Sequence, residues 1–214
     1  MNKNLFLTAS MLVNFINHKH LIIDEFKEKL LNIKKSEKTV VDNLRIKNGL
    51  IHEENYFKEL SKKYKKVKNI KILNKLSKEE KIKETNDALK KGYELIYGGW
   101  LKSGNFRGEL DFLEINNNVK SNLGNWSYEI IDTKNSAKVK GDHIYQLSLY
   151  SFLLQEAQGV FPKNFYVLLK DKSKVPILLN DVYASFLKQK NYFEKFMKNE
   201  LNRKILEKIS YCSL

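Results

Sequence analysis

Asp111, Asp132 and Lys134 have the side-chain types and the spacing to work on a phosphate ester. Gly108-Glu109-Leu110-Asp111 ends an apolar-patterned run on a carboxylate, and Glu129-Ile130-Ile131-Asp132-Thr133-Lys134 sets a second carboxylate two residues before an ammonium. On a strand, residues i and i+2 project to one face, so Asp132 and Lys134 point together and Thr133 is expected to face away. If the two runs pair as a hairpin, Asp111 lies beside Asp132. Two carboxylates at one place suit a hard cation such as Mg²⁺, which takes oxygen ligands and keeps several waters. A lysine next to them steadies an attacking water and the charge on phosphate. The chemistry such a group suits is metal-assisted phosphodiester hydrolysis. Asp-Thr-Lys is also an ordinary exposed strand end. What sets this one apart is the preceding run 128–131, Tyr-Glu-Ile-Ile, which reads as buried on both faces, where a carboxylate carries a desolvation cost unless a cation or hydrogen bonds offset it.

Two further groups stand near these in the sequence. Gly49-Leu50-Ile51-His52-Glu53 places an imidazole near the expected start of a helix. Neutral imidazole suits transition metals such as Mn²⁺ better than Mg²⁺, and a helix-surface histidine is the plainer alternative. Glu53 and Glu54 read as a favourable pairing with that helix N-terminus. Gln146 and Tyr150, four residues apart, share one face of a later helix; the plainer alternative makes Tyr150 core and Gln146 solvated.

The elements that must position these groups follow from patterning. Residues 10–34 show helical spacing through Leu12, Phe15, Ile16, Leu21, Ile22, Phe26, Leu30 and Leu31, with a bend at 18–20 and an N-cap at Thr8 or Ser10. Asn48-Gly49 is expected to break the chain before a helix over 50–65. A short strand over 67–73 and a polar helix over 75–91, stopped by Gly92, come next. Strands are expected over 93–101, 106–115 and 126–133, with turn chemistry at 102–105 and an Asn- and Gly-rich tip at 116–125. A helix over 142–158 ends at Gly159, a fourth strand covers 164–169, and one or two helices cover 182–208. The order is that of an α/β domain, one unit over 1–214, with a core at about 48–170, an N-terminal helical part at about 8–47 and C-terminal helices at about 181–209.

Composition bounds the partners. The chain has 214 residues, 42% hydrophobic and 12% aromatic, enough to bury a core. Its formal net charge is +14, which suits a polyanion, since lysines that neutralise phosphates release condensed counterions. Of 39 basic residues only Arg45, Arg107 and Arg203 are arginine, so the excess equally fits a lysine-rich coding bias. Arg107, Lys138 and Lys140 flank the two motifs and are candidates for gripping phosphate without reading sequence. The run Lys62, Lys63, Lys65, Lys66 and Lys68 reads better as a solvated face. Trp100, Trp126 and Tyr128 could stack bases but read better as sheet or core. Cys212 is the only cysteine, which rules out an intrachain disulfide or a four-cysteine cluster from one chain. A reducing, cytoplasmic compartment is expected, with no membrane span.

In order, Gly49 to Glu53, Gly108 to Asp111, Asp132 to Lys134 and Gln146 to Tyr150 resemble the four motifs of the PD-(D/E)XK nuclease superfamily, RecB-like branch. Each motif is weak alone; four in the expected order on the expected elements are specific. The resemblance covers roughly 8–190. It implies a restriction-endonuclease-like core, a small mixed sheet flanked by helices with a helical N-terminal segment. It implies Mg²⁺ or Mn²⁺ held by His52, Asp111, Asp132 and the Thr133 carbonyl, with Lys134 catalytic and Gln146 and Tyr150 positioning DNA and the lysine. It implies DNA as substrate with RNA left open, action at ends or in single strands, and either a helicase or RNase H-like partner on a separate chain or a stand-alone or truncated form; the iron–sulfur cluster that some relatives hold through four cysteines is excluded by the single Cys212. The alternative is a non-catalytic nucleic-acid-binding or assembly module derived from such a nuclease.

Overall fold

The computed structural model of the chain describes residues 6–19, 22 and 39–211. Six strands form one open mixed sheet in sequence order: β1 Val67–Asn69, β2 Leu95–Ser103, β3 Phe106–Asn116, β4 Ser127–Thr133, β5 Asn164–Leu168 and β6 Lys174–Leu178. The pairs β1/β2 and β4/β5 are parallel and the other three are antiparallel. The helices are α1 Ala9–Asn17, α2 Val40–Leu60, α3 Lys78–Lys90, α4 Gly141–Gln158 and α5 Leu179–Tyr211. The architecture is the expected α/β sheet flanked by helices, with an N-terminal helix. Leu21, Phe26, Leu30 and Leu31 of the expected first helix lie outside the described residues, as does the charged connection at 34–38.

Two expectations need correction. Asn48-Gly49 does not break the chain: α2 runs through it from Thr39, whose hydroxyl accepts the Asp42 N–H while the Asp42 carboxylate accepts the Thr39 N–H. That reciprocal cap sets the start, and a mid-helix glycine costs only about 1 kcal/mol. The residue-47 boundary therefore falls inside a helix. Of the one or two C-terminal helices expected, the structure has one, of 33 residues. Strand β6 was missed, because Lys-Val-Pro-Ile-Leu is short and carries Pro176; it is an edge strand, where proline is tolerated.

Two apolar layers clasp the sheet. The larger includes Leu12 and Phe15 of α1, Leu147, Leu153 and Leu154 of α4 and Phe186 and Phe193 of α5. The smaller joins Leu60 of α2 to Leu95, Tyr97, Phe112, Ile131 and Leu168. Rings tie α2 down: Phe57 stacks on Tyr97 at 4.3 Å and Tyr56 meets Phe112 edge-on at 5.4 Å, contacts worth about 0.5–1.5 kcal/mol each beyond their burial.

The β2–β3 pair changes face halfway along. Leu95 and Tyr97 belong to the smaller layer, yet Leu101, of the same parity, belongs to the larger; Phe112 belongs to the smaller and Leu110 to the larger. Between the pairs Tyr97–Phe112 and Gly99–Leu110 the ladder skips Gly98 and Asp111. Gly98 has φ +68°, a left-handed backbone that side chains other than hydrogen disfavour. Asp111 thus sits where the strand pair twists and a carboxylate can leave the layer it would otherwise enter.

Candidate active site

β3 and β4 pair from Asn116–Ser127 to Phe112–Ile131, and the next couple, Asp111 and Asp132, lies just past the ladder. There the strands part. On the far edge β4 continues with β5 through Thr133–Leu168. The Thr133 N–H, left without a β3 partner, donates to Asp111 Oδ2 at 2.8 Å, and the Thr133 hydroxyl donates to the same oxygen at 2.7 Å. Thr133 therefore does not face away: its hydroxyl turns back to fill the fork between the strands.

Asp132 is 2% exposed. Its Oδ2 lies 2.6 Å from Lys134 Nζ, which donates to Gln146 Oε1 at 2.9 Å, and Gln146 Nε2 donates to the Tyr150 hydroxyl at 3.2 Å. The expected positions Asp132, Lys134, Gln146 and Tyr150 form one connected chain, and Asp111 joins it through Thr133. Register explains why. Gln158, at the end of α4, accepts the Tyr128 N–H at 2.7 Å and donates to the Tyr128 carbonyl. From Tyr128 to Lys134 a strand rises roughly 20 Å; from Gln158 back to Gln146 a helix rises roughly 18 Å. Pinning Gln158 at one end of β4 brings Gln146 to the other. Gly108 makes room for this helix: a Cβ there would lie 2.5 Å from Tyr150 Cε1.

Glu53 was read as a partner of a helix N-terminus, and that reading is overturned. α2 starts at Val40, so Glu53 lies deep within it, four residues before Phe57 and 6% exposed. Its Oε1 lies 2.6 Å from Lys71 Nζ, which also reaches Glu109 Oε1 at 3.8 Å. Neither Glu53 nor Lys71 was picked out as a site residue. Glu53 was masked by the misplaced helix start; Lys71 belongs to no motif in a lysine-rich chain.

The electrostatics bind these groups into one cluster. Burial, then the charge of Asp111, pushes Glu53 up to about 7, with Lys71 and Tyr97 pulling it down. Burial, then Asp111, pushes Asp132 up to about 7 against the pull of Lys134, with Glu53 adding to the rise. Burial depresses Lys134, but Asp132, Asp111 and Glu53 together hold it above the ordinary lysine value. Lys71 is likewise lowered by burial and raised on balance by Glu53, Asp111 and Glu109. Burial and nearby Lys134 and Lys140 push His143 down to about 4; its Nδ1 accepts the Lys140 N–H at the start of α4.

Other expected residues fall elsewhere. His52 lines a cleft with Asn55, Tyr56, Lys58, Glu59 and Lys172, and its Nε2 is buried without a hydrogen bond. Arg107 stacks on Phe6 at 4.1 Å and pairs with Glu79 at 3.6 Å. Lys138 and Lys140 are exposed on the loop between β4 and α4. Tyr128 is fully buried, its hydroxyl donating to the Tyr93 carbonyl, and the Trp126 indole N–H donates to the Leu89 carbonyl, as their reading as core and sheet expected. Lys66 and Lys68 of the basic run bond to the Lys91 carbonyl and to Glu84.

The donor set fits a hard divalent cation in type. Among the described residues four buried side-chain polar atoms make no hydrogen bond, and three of them are His52 Nε2, Glu53 Oε1 and Asp132 Oδ2. Buried polar atoms are normally satisfied, and exceptions point to strain, catalysis or an ion. Both carboxylate oxygens meet an ammonium, but not in hydrogen-bond geometry. Among the described residues no three His, Cys, Asp or Glu side chains are gathered closely enough to enclose an ion as they stand; the lysines hold the carboxylates.

Neither a family model nor a curated protein matches the chain. A solved structure, the crystal structure of SSO0001, aligns over 81% of this chain and 83% of its own at 18% identity, with a TM-score of 0.28. A likeness that loose carries no argument. No helix among the described residues is long and apolar enough to cross a membrane.

Proposed function

We propose that this chain is a Mg²⁺- or Mn²⁺-dependent nuclease that hydrolyses DNA phosphodiester bonds at ends or in single strands. The observation that carries the reading is the connected chain Asp132–Lys134–Gln146–Tyr150, joined to Asp111 at the fork of two strands and bordered by buried oxygens that lack hydrogen bonds.

Asp111, Asp132 and Glu53 are the residues that would hold the cation; His52, with its own orphaned nitrogen, lies next to Glu53 in the chain. When bound, such a cation polarises the phosphate and lowers the pKa of a coordinated water. The chain's own residues do the rest. Lys134 keeps its ammonium at the fork, where negative charge accumulates on the phosphate oxygens, and a preformed charge in a dry site stabilises that build-up without reorganising. Gln146, held by the Tyr150 hydroxyl, fixes the lysine's reach. Asp132 keeps Lys134 charged. Lys138 and Lys140 contribute phosphate contacts that carry no sequence information.

The test is incubation of the purified protein with labelled single-stranded DNA, double-stranded DNA and RNA in Mg²⁺, Mn²⁺ or EDTA. Metal-dependent cleavage of DNA, abolished by EDTA, is the expected result. Binding without cleavage under every metal would leave a nucleic-acid-binding module instead.

A further inference from the structure

Lys71 stands in the turn after β1, outside every motif, yet it touches three elements of the site. Its ammonium lies 2.6 Å from Glu53 on α2 and 3.8 Å from Glu109 on β3, and 5.4 Å above the Tyr97 ring on β2. Its stem fills the space that Gly98 leaves: a Cβ on Gly98 would lie 2.2 Å from Lys71 Cγ and 3.2 Å from the Lys71 backbone nitrogen. Gly98 is the residue skipped opposite Asp111 where the strands change face. One side chain thus links the helix that carries Glu53 to the twist that carries Asp111.

The geometry points to Lys71 as a positioning residue of the candidate metal site, tethering the Glu53 carboxylate to the β2–β3 twist so that it faces the Asp111–Asp132 fork. This rests on the proposed metal-dependent reading. Glu53 is on a different element from both aspartates and its carboxylate Oε1 makes no hydrogen bond; beside the Tyr97 hydroxyl, the ion pair with Lys71 at 2.6 Å is the contact that holds it towards the sheet. Outer partners that orient a ligand typically contribute about 10–100-fold to metal affinity. The role differs from that of Lys134: Lys71 need not touch substrate, and its loss is felt at the cation.

The experiment is calorimetric titration of Mn²⁺ into the intact chain without nucleic acid, for the wild type, Lys71→Met, Lys71→Arg and Gly98→Ala, with thermal melts in EDTA alongside. Methionine keeps an unbranched stem against Gly98 and removes the ammonium. The expected result is a Kd for Mn²⁺ weakened at least tenfold in Lys71→Met and restored in part by arginine, with the EDTA melts showing every variant folded at the titration temperature. Gly98→Ala, which displaces the same stem from the other side, weakens Mn²⁺ binding in the same direction. Lys71→Met binding Mn²⁺ as tightly as the wild type, or more tightly, overturns the assignment and leaves the nuclease reading standing. A wild type that binds no Mn²⁺ overturns both.

Discussion

At the scale of single residues, contacts around the site separate those proposed to react from those that hold. Gly108 is a case of the second kind. Its missing side chain is the reason Tyr150 can lie against β3, and Tyr150 holds Gln146, which holds Lys134. Gly108→Ala is expected to push Tyr150 aside and lower the cleavage rate at least tenfold, since a misplacement of about 1 Å can cost about a hundredfold. A steady-state assay with the melting temperature measured in parallel checks this; an unchanged rate would separate Tyr150 from the lysine's positioning. Much of this scale was legible in the sequence. Asp132 and Lys134 follow from strand parity, and Gln146 and Tyr150 from helix spacing. Thr133 was misread because parity says nothing of a strand end where the partner strand has left. Glu53 was misread because its surroundings depend on where a helix begins, and Lys71 because its role depends on contacts far apart in sequence.

At the scale of elements, α2 shows how a local signal can mislead. Asn48-Gly49 is turn chemistry, yet the Thr39–Asp42 cap and the ring contacts of Tyr56 and Phe57 carry the helix through it. A Cβ at Gly49 would meet nothing within 4 Å. Gly49→Ala is therefore expected to stabilise the protein by about 1 kcal/mol, a rise of roughly 2–4 °C in Tm, with cleavage unchanged. A stabilised variant with lost DNA binding would show that the bare backbone at Gly49 approaches the substrate. The strands β3 and β4 and the helix α4 were legible because their patterns are strong and their ends are marked, α4 by Gly159 in a left-handed C-cap. β6 was not, because five residues with a proline look like a loop until an edge is available to receive them.

At the scale of the whole molecule, the buried carboxylates couple folding to pH. Glu53 and Asp132 both have raised values, about 7 against 4.5 and 3.8. The folded state holds their protons more tightly than the unfolded state does. Their contribution to stability is complete below about pH 4 and is lost as pH rises through about 7. Carboxylates held low, such as Glu59 beside Lys172 and Glu84 beside Lys68, act in the opposite sense, so the comparison with a variant isolates Asp132. Metal-free Asp132→Asn is expected to lose less stability than the wild type between pH 5 and pH 8 in denaturant melts. Mg²⁺ or Mn²⁺, binding the ionised forms, is expected to raise the wild-type Tm more at pH 8 than at pH 5. Equal slopes for variant and wild type would show that Asp132 keeps an ordinary carboxylate value. The net charge of +14 belongs to this scale too: the DNA binding proposed for the chain is expected to weaken as salt rises.

Single-turnover cleavage of labelled DNA by Lys134→Met tests whether Lys134 is the catalytic lysine of the proposed metal-dependent phosphodiester hydrolysis. The variant is expected to bind DNA and Mn²⁺ but to cut at least about a hundredfold more slowly than the wild type, the loss typical of removing one preformed charge-stabilising donor. A Lys134→Met protein that cuts at the wild-type rate would contradict that role.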